Sequence, residues 1–262
     1  MTDVNVSSWG ELQEELFAGS WQETLGRHRT SYAYRGRPHA AEIPTTSLAR
    51  LGGDGPALER HIARAFRKYA AADAVPVDTV WNWLALGQHH GLPTRLLDWT
   101  FSPYVALHFV TADLALFDVD GVVWCVDYAR AHDLLPERLR AELRDEGADV
   151  FTTEMLHAAA PSLEALQELG DFALFVEPPS FDQRIVNQYA LFSLLSAADA
   201  AFDAWLDSKP ELWRRVVVPA ELKWEVRDKL DLANVTERVL FPGLDGLSRW
   251  LKRYYLPRDD RG

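Results

Sequence analysis

Apolar positions along the chain fall into short blocks whose spacing separates strand from helix. Asp3-Val4-Asn5-Val6 alternates and predicts a short strand, and Ser8-Trp9-Gly10-Glu11 has the spacing of a capping box that opens a helix to about Phe17, closed near Gly19. Ser31 to Gly36 reads as a strand with Tyr32 and Tyr34 on one face, and Gly36 leaves room for a close approach to the backbone just after Arg35. From Leu58 to about Ala71, Ile62, Ala65, Phe66 and Tyr69 recur at helical spacing, while Glu59, Arg60, Arg64, Arg67 and Lys68 fill the remaining positions of an amphipathic helix. Asp78 is the expected N-cap of a helix through Trp81, Trp83 and Leu84 that stops at Gly91, with Pro93 just beyond. Thr94 to Thr100 is then expected to be a tight connection. A buried helix follows, starting at Ser102-Pro103 and running to about Leu114.

Asp120-Gly121 marks a turn into Val122-Val123-Trp124-Cys125-Val126, a continuous apolar run of the kind found in buried strands. Leu135 to about Leu169 predicts two helices broken near Gly147 and Pro161. Asp171 to Glu177 predicts a strand stopped by Pro178-Pro179, and Phe181 to Asn187 a short helix or turn. Tyr189 to Leu195 and Arg214 to Val218 predict strands, separated by a helix from Ala198 to Leu206. A charged helix from Pro219, a turn at Phe241 to Gly246 and a helix from Leu247 to Tyr255 complete the chain. Interleaving without a strict strand-helix-strand period predicts an α+β fold: a single mixed domain over residues 1–262, with a central, mostly antiparallel sheet flanked by helices. Residues 130–169 form its candidate helical insertion.

Composition narrows the function more than the fold. A chain of 262 residues with 48% hydrophobic positions and ten tryptophans supports a substantial core. Its formal net charge of -12 argues against a general nucleic-acid coating surface, although a local basic cleft fits within an acidic protein. The single cysteine, Cys125, excludes an intramolecular disulfide framework. The stretch Met1 to Ser8 lacks the apolar core of a signal peptide, and no run approaches the roughly 20 apolar residues of a membrane span. A cytoplasmic protein with no membrane partner is expected.

The densest chemistry lies in Gln88-His89-His90-Gly91-Leu92-Pro93-Thr94-Arg95-Leu96-Leu97-Asp98-Trp99-Thr100, a polar knot between two apolar runs. Such a knot must be paired internally or line a pocket. Adjacent histidines at a helix end point about 100° apart and do not present both rings to one ion, so no metal site is expected. There is no nucleophile elbow, no phosphate-binding glycine loop, and Cys125 sits in an apolar strand. Arg35, Arg95 and Arg184 remain, the last just before Asn187 and Gln188. Each forms either a buried ion pair, with Asp98 or Asp182 as partners, or part of a converging anion site, since a guanidinium grips phosphate in a bidentate way.

Tyr34-Arg35-Gly36, followed about fifty residues later by the knot from Gln88 to Thr100, resembles the bacterial FRG domain, named for a Phe/Tyr-Arg-Gly motif. Arg184-Ile185-x-x-Gln188-x-x-Leu191-Phe192 and Leu240-Phe241-Pro242-x-Leu244-Asp245-Gly246 are similar to the family's later signatures, so the resemblance spans about Tyr32 to Tyr255. Ala190 stands where a glycine is expected, and Gly243 where an acidic or small polar residue is usual. The family implies no defined reaction; its company is bacterial defence, phage defence included, and toxin modules. Tyr-Arg-Gly on an early strand also resembles the first motif of ADP-ribosyltransferases, in which such an arginine holds NAD.

That second resemblance implies a transferase using NAD as substrate to modify a macromolecule, nucleic acid or protein. The transition state is an oxocarbenium-like sugar, which wants an arginine on the pyrophosphate, an aromatic wall and a carboxylate near the ribose. The implied nucleotide-binding residues are Tyr34, Arg35, Gly36, Gln88, Arg95, Trp99, Arg184 and Gln188. The implied catalytic set is Asp98 or Glu177 with His89 and His90. Glu177 ends a strand where a carboxylate would emerge at a sheet edge, and is equally read as a solvated strand end. The alternative function is a non-catalytic nucleotide or phosphate recognition module.

Overall fold

A computed structural model describes residues 3–71 and 74–257; Met1 and Thr2 of the polar N-terminal stretch lie outside them. The first part of the chain runs β1 (Asp3–Asn5), α1 (Trp9–Phe17), a small hairpin β2 (Trp21–Gln22) and β3 (Arg27–His28), β4 (Tyr32–Arg37), α2 (Ser47–Leu51), α3 (Gly55–Tyr69) and α4 (Val80–His89). The middle continues with β5 (Leu97–Thr100), α5 (Pro103–Val110), β6 (Gly121–Asp127), α6 (Tyr128–Asp133), α7 (Glu137–Glu146), β7 (Phe151–Thr152), α8 (Thr153–Ala159), α9 (Leu163–Gln167) and β8 (Ala173–Glu177). The last part holds α10 (Gln183–Asn187), β9 (Ala190–Leu195), α11 (Phe202–Asp207), β10 (Trp213–Val218), α12 (Lys223–Leu232), α13 (Glu237–Leu240) and α14 (Leu244–Tyr254).

Eight strands form one sheet in the order β1-β10-β6-β4-β5-β9-β8-β7, antiparallel except for β1 with β10 and β7 with β8 at its edges. This is the mixed α+β architecture expected from the pattern. Three differences stand out. Leu97–Thr100 is a strand at the centre of the sheet, not a connection. The stretch expected as two helices is three, α7 to α9, with the two-residue strand β7 among them. The cap of α4 is Thr79, whose hydroxyl accepts from Asn82 N, while Asp78 instead accepts from Trp83 Nε1 and pairs with Arg67. Among the described residues, no helix is long and apolar enough to cross a membrane.

Strand alternation sorts the core between the two faces. One face carries Leu97, Trp99, Trp124, Phe175 and Leu191 against α6 and α11. The other carries Tyr34, Val123, Cys125 and Val216 against α1, α5 and α12, and, further along, Leu174, Val176, Phe192 and Leu194 against α4, α7 and α8. The two halves of this second face meet at β4 and β5, and there the sheet is weakest. These strands share a single registered pair, Tyr34 with Thr100, whereas β4 and β6 share six.

Candidate active site

The parting of β4 from β5 opens a cavity of about 670 Å³, within the usual range for small-molecule sites. Residues 34–37 of β4 and 98–100 of β5 line it from the sheet. The end of α4 contributes Gln88, His89 and His90; α2 contributes Ser47 and Arg50; α5 adds Phe109; and Arg184, Ile185 and Gln188 come from α10 and its end.

The Tyr-Arg-Gly motif divides its labour by strand parity. Tyr34 and Gly36 face α5. The Tyr34 hydroxyl donates to Leu16 O at 3.1 Å, and burial pushes that phenol up to about 12. A Cβ on Gly36 would collide with the Ala106 carbonyl, so the glycine lets α5 lie against β4. Arg35 leaves the opposite face and reaches across the parted strands, donating to Asp98 O with Nη1 and lying 4.0 Å from the Asp98 carboxylate. Burial lowers this guanidinium to about 10, with Asp98 acting against the shift, so it remains a cation at neutral pH. Its Nε is buried without a hydrogen-bond partner, and so is that of Arg184. The Arg184 guanidinium sits over the Phe241 ring, 5.2 Å from its centre, with Nη1 3.5 Å from His89 O.

Asp98 is the one carboxylate among the lining residues. Its side chain is 62% exposed and accepts from Gln88 Nε2 at 2.9 Å. Gln88 is anchored in turn by Thr94, whose hydroxyl donates to Gln88 Oε1 at 2.6 Å. Gln188 Nε2 donates to Leu240 O, fastening the end of α10 to α13. Four arginines, Arg35, Arg37, Arg50 and Arg184, therefore line the cavity with one carboxylate in a protein of net charge -12, Arg37 being paired with Glu42.

Of the residues singled out from the sequence, Tyr34, Arg35, Gly36, Gln88, His89, His90, Asp98, Trp99, Arg184 and Gln188 all border this cavity. Two do not. Arg95 is sealed behind it, with Nε and Nη2 on the Glu59 carboxylate and Nη1 donating to Ser196 O at 2.7 Å. Its partner is Glu59 of α3, not Asp98 or Asp182, and both side chains are buried. Glu177 leaves β8 on the same side as Ala173 and Phe175, opposite to the cleft-lining Phe192, where burial raises its carboxyl.

The expected aromatic wall is corrected too. Trp99 packs its ring on Phe175 and Phe202 and donates Nε1 to Ser193 Oγ, and the Tyr34 ring lies in the core. Phe109 and Phe192 are the phenylalanine side chains that remain at the cavity. Sequence reasoning missed Arg37, Arg50, Ser47 and Phe109. Arg37 carried a usable signal, since it is the next residue on Arg35's side of the strand. Arg50 carried none, because its place depends on α2 folding over the cleft, where Nη1 donates to Thr45 O.

Residues 30–118 match the FRG domain family, a segment of about a third of the chain that contains both Tyr34-Arg35-Gly36 and the stretch from Gln88 to Thr100. No curated protein and no solved structure matches the chain.

Proposed function

We propose that the cleft holds NAD by its pyrophosphate and that the protein is an ADP-ribosyltransferase-like enzyme modifying a macromolecule, in a bacterial defence or toxin setting. The observation that carries this reading is the pair Arg35 and Arg184: two guanidinium groups that border one cavity together with an exposed carboxylate, Asp98. Guanidinium groups that border a concave site suit phosphate oxygens, which accept from several directions at once. Asp98, not Glu177, is the carboxylate for the sugar cation, since a charge-stabilising group must stand where the charge develops. Phe109 is the apolar surface for a base or for the nicotinamide ring.

The test is nicotinamide release from NAD by purified protein, with and without nucleic acid or protein acceptors. Arg35→Ala lowers NAD affinity about tenfold or more and turnover with it, and Asp98→Asn keeps binding while turnover falls by about 10²-fold or more. Absence of both binding and nicotinamide release in the wild-type protein contradicts the reading. A second reading, recognition of a nucleotide or phosphate without catalysis, is favoured by one observation: Asp98 is already engaged by Gln88 and Arg35. It predicts that NAD or a phosphorylated ligand binds, that Asp98→Asn binds it equally well, and that no donor is turned over.

A further inference from the structure

His89 and Asp182 form a second constellation at the same cleft. His89 Nε2 lies 2.7 Å from Asp182 Oδ2, and the imidazole is 7% exposed. The other oxygen of Asp182 accepts from Ile185 N at 3.1 Å, capping α10. The carboxylate is therefore held by the backbone of one element before it meets the histidine at the end of another. An ionised carboxylate only accepts, so its partner Nε2 carries the proton, and in the neutral ring Nδ1 is the nitrogen with the lone pair. Among the described residues, none hydrogen-bonds Nδ1. His90 packs edge-on to the ring at 5.1 Å and limits its rotation.

We propose that His89 is the proton acceptor of this cleft, that Asp182 is its positioning residue, and that the acceptor substrate presents a hydroxyl group. This rests on the NAD-dependent transfer proposed above. In that reaction the bond between C1′ of the ribose and the nicotinamide nitrogen breaks, and its electron pair leaves with neutral nicotinamide, which needs no proton. The acceptor oxygen forms the new bond to C1′, and its proton passes to His89 Nδ1 and then to solvent. A base is thus needed on the acceptor side alone. A hydroxyl, protonated at neutral pH, is the nucleophile that gains most from one.

Asp182→Asn separates orientation from capping. Asparagine caps a helix about as well as aspartate, but the group facing His89 becomes an amide donor, which turns the ring to the tautomer with a proton on Nδ1. Nitrogen-15 NMR of the histidine rings, assigned with His89→Gln, reads this directly. The expected result is His89 protonated at Nε2 in the wild-type protein and at Nδ1 in Asp182→Asn, with melting temperature and NAD affinity unchanged. Turnover onto a hydroxyl acceptor falls by about 10²- to 10⁴-fold. His89→Gln, which leaves the cap in place, loses the same turnover. A wild-type ring protonated at Nδ1, a tautomer indifferent to Asp182→Asn, or undiminished turnover in either variant overturns the proposal. Failure of the wild-type protein to bind NAD sinks the transferase reading instead, and the NMR result still decides the pair.

Discussion

Arg35 and Arg95 carry the same functional group in opposite surroundings. Arg95 spends its donors on Glu59 and a backbone carbonyl in the core, while Arg35 keeps Nε free beside a cavity. Arg95→Ala or Glu59→Gln is therefore expected to destabilise the fold by about 3–5 kcal/mol, because each leaves an uncompensated buried group; denaturant melts measure this. Ligand affinity in the protein that remains folded should not change. Gly36→Ala fails for a different reason. Its Cβ has no room beside the Ala106 carbonyl, so α5 must move off β4. A loss of at least 1–3 kcal/mol in denaturant unfolding, typical of overpacking, is expected. The motif was legible as a motif, yet its parity is what explains it: two residues build the strand's contact with α5, and one enters the cleft.

At the scale of elements, what could be read from the sequence depended on how local the determinants are. Helices with caps and period, such as α1 and α5, stand where Ser8 and Ser102-Pro103 put them. β5 was not legible, because four residues after Gly91 and Pro93 look like a loop until β9 supplies its register. Glu59 looked solvated for a similar reason: helical periodicity shows which face is polar but cannot show Arg95 meeting it from another element.

The charged C-terminal helices also deceive. Arg253 donates to Glu237 and Asp231, and the fully buried Arg227 donates from Nη1 to His108 Nδ1, from Nη2 to Asp231, and to Val235 O. This network carries α13, whose carbonyls at Val239 and Leu240 hold Asn187 and Gln188 at the cleft.

The same elements set the response to acid. Burial, with the Arg227 charge adding to it, takes His108 down to about 3 from an ordinary 6.5, and burial takes His132 to about 4. Below pH 6.5 the unfolded chain binds protons that the folded chain refuses, so stability that is complete above that value declines as pH falls toward 4 and 3. For Glu237, burial works upward but is outweighed by its hydrogen bonds and the Arg253 charge, which leave it at about 2. Its contribution is present above its ordinary 4.5 and is lost as pH falls through 2. Thermal melts followed by circular dichroism should show a falling midpoint from pH 7 to pH 5 and a steeper fall below 4.5. A midpoint that is flat or rising across this range would contradict the assignment of neutral buried histidines.

Across the whole molecule, the cleft lies where two separately packed halves of one sheet face meet and the hydrogen-bond ladder lapses. Most of the acidic charge lies elsewhere, and the seam is lined by four arginines and one carboxylate, Asp98. Sequence order hides this convergence, since the lining residues run from Tyr34 to Phe192 and only the strand order β4-β5-β9 brings them together. The central claim is that Arg35 anchors the phosphates of NAD in that seam. Calorimetric titration of NAD into the wild-type protein and Arg35→Ala tests it most directly. Saturable one-to-one binding to the wild-type protein is expected, with affinity reduced about tenfold or more in the variant, equivalent to about 1.4 kcal/mol, and an unchanged melting temperature. No binding by the wild-type protein, or equal binding by Arg35→Ala, would contradict it.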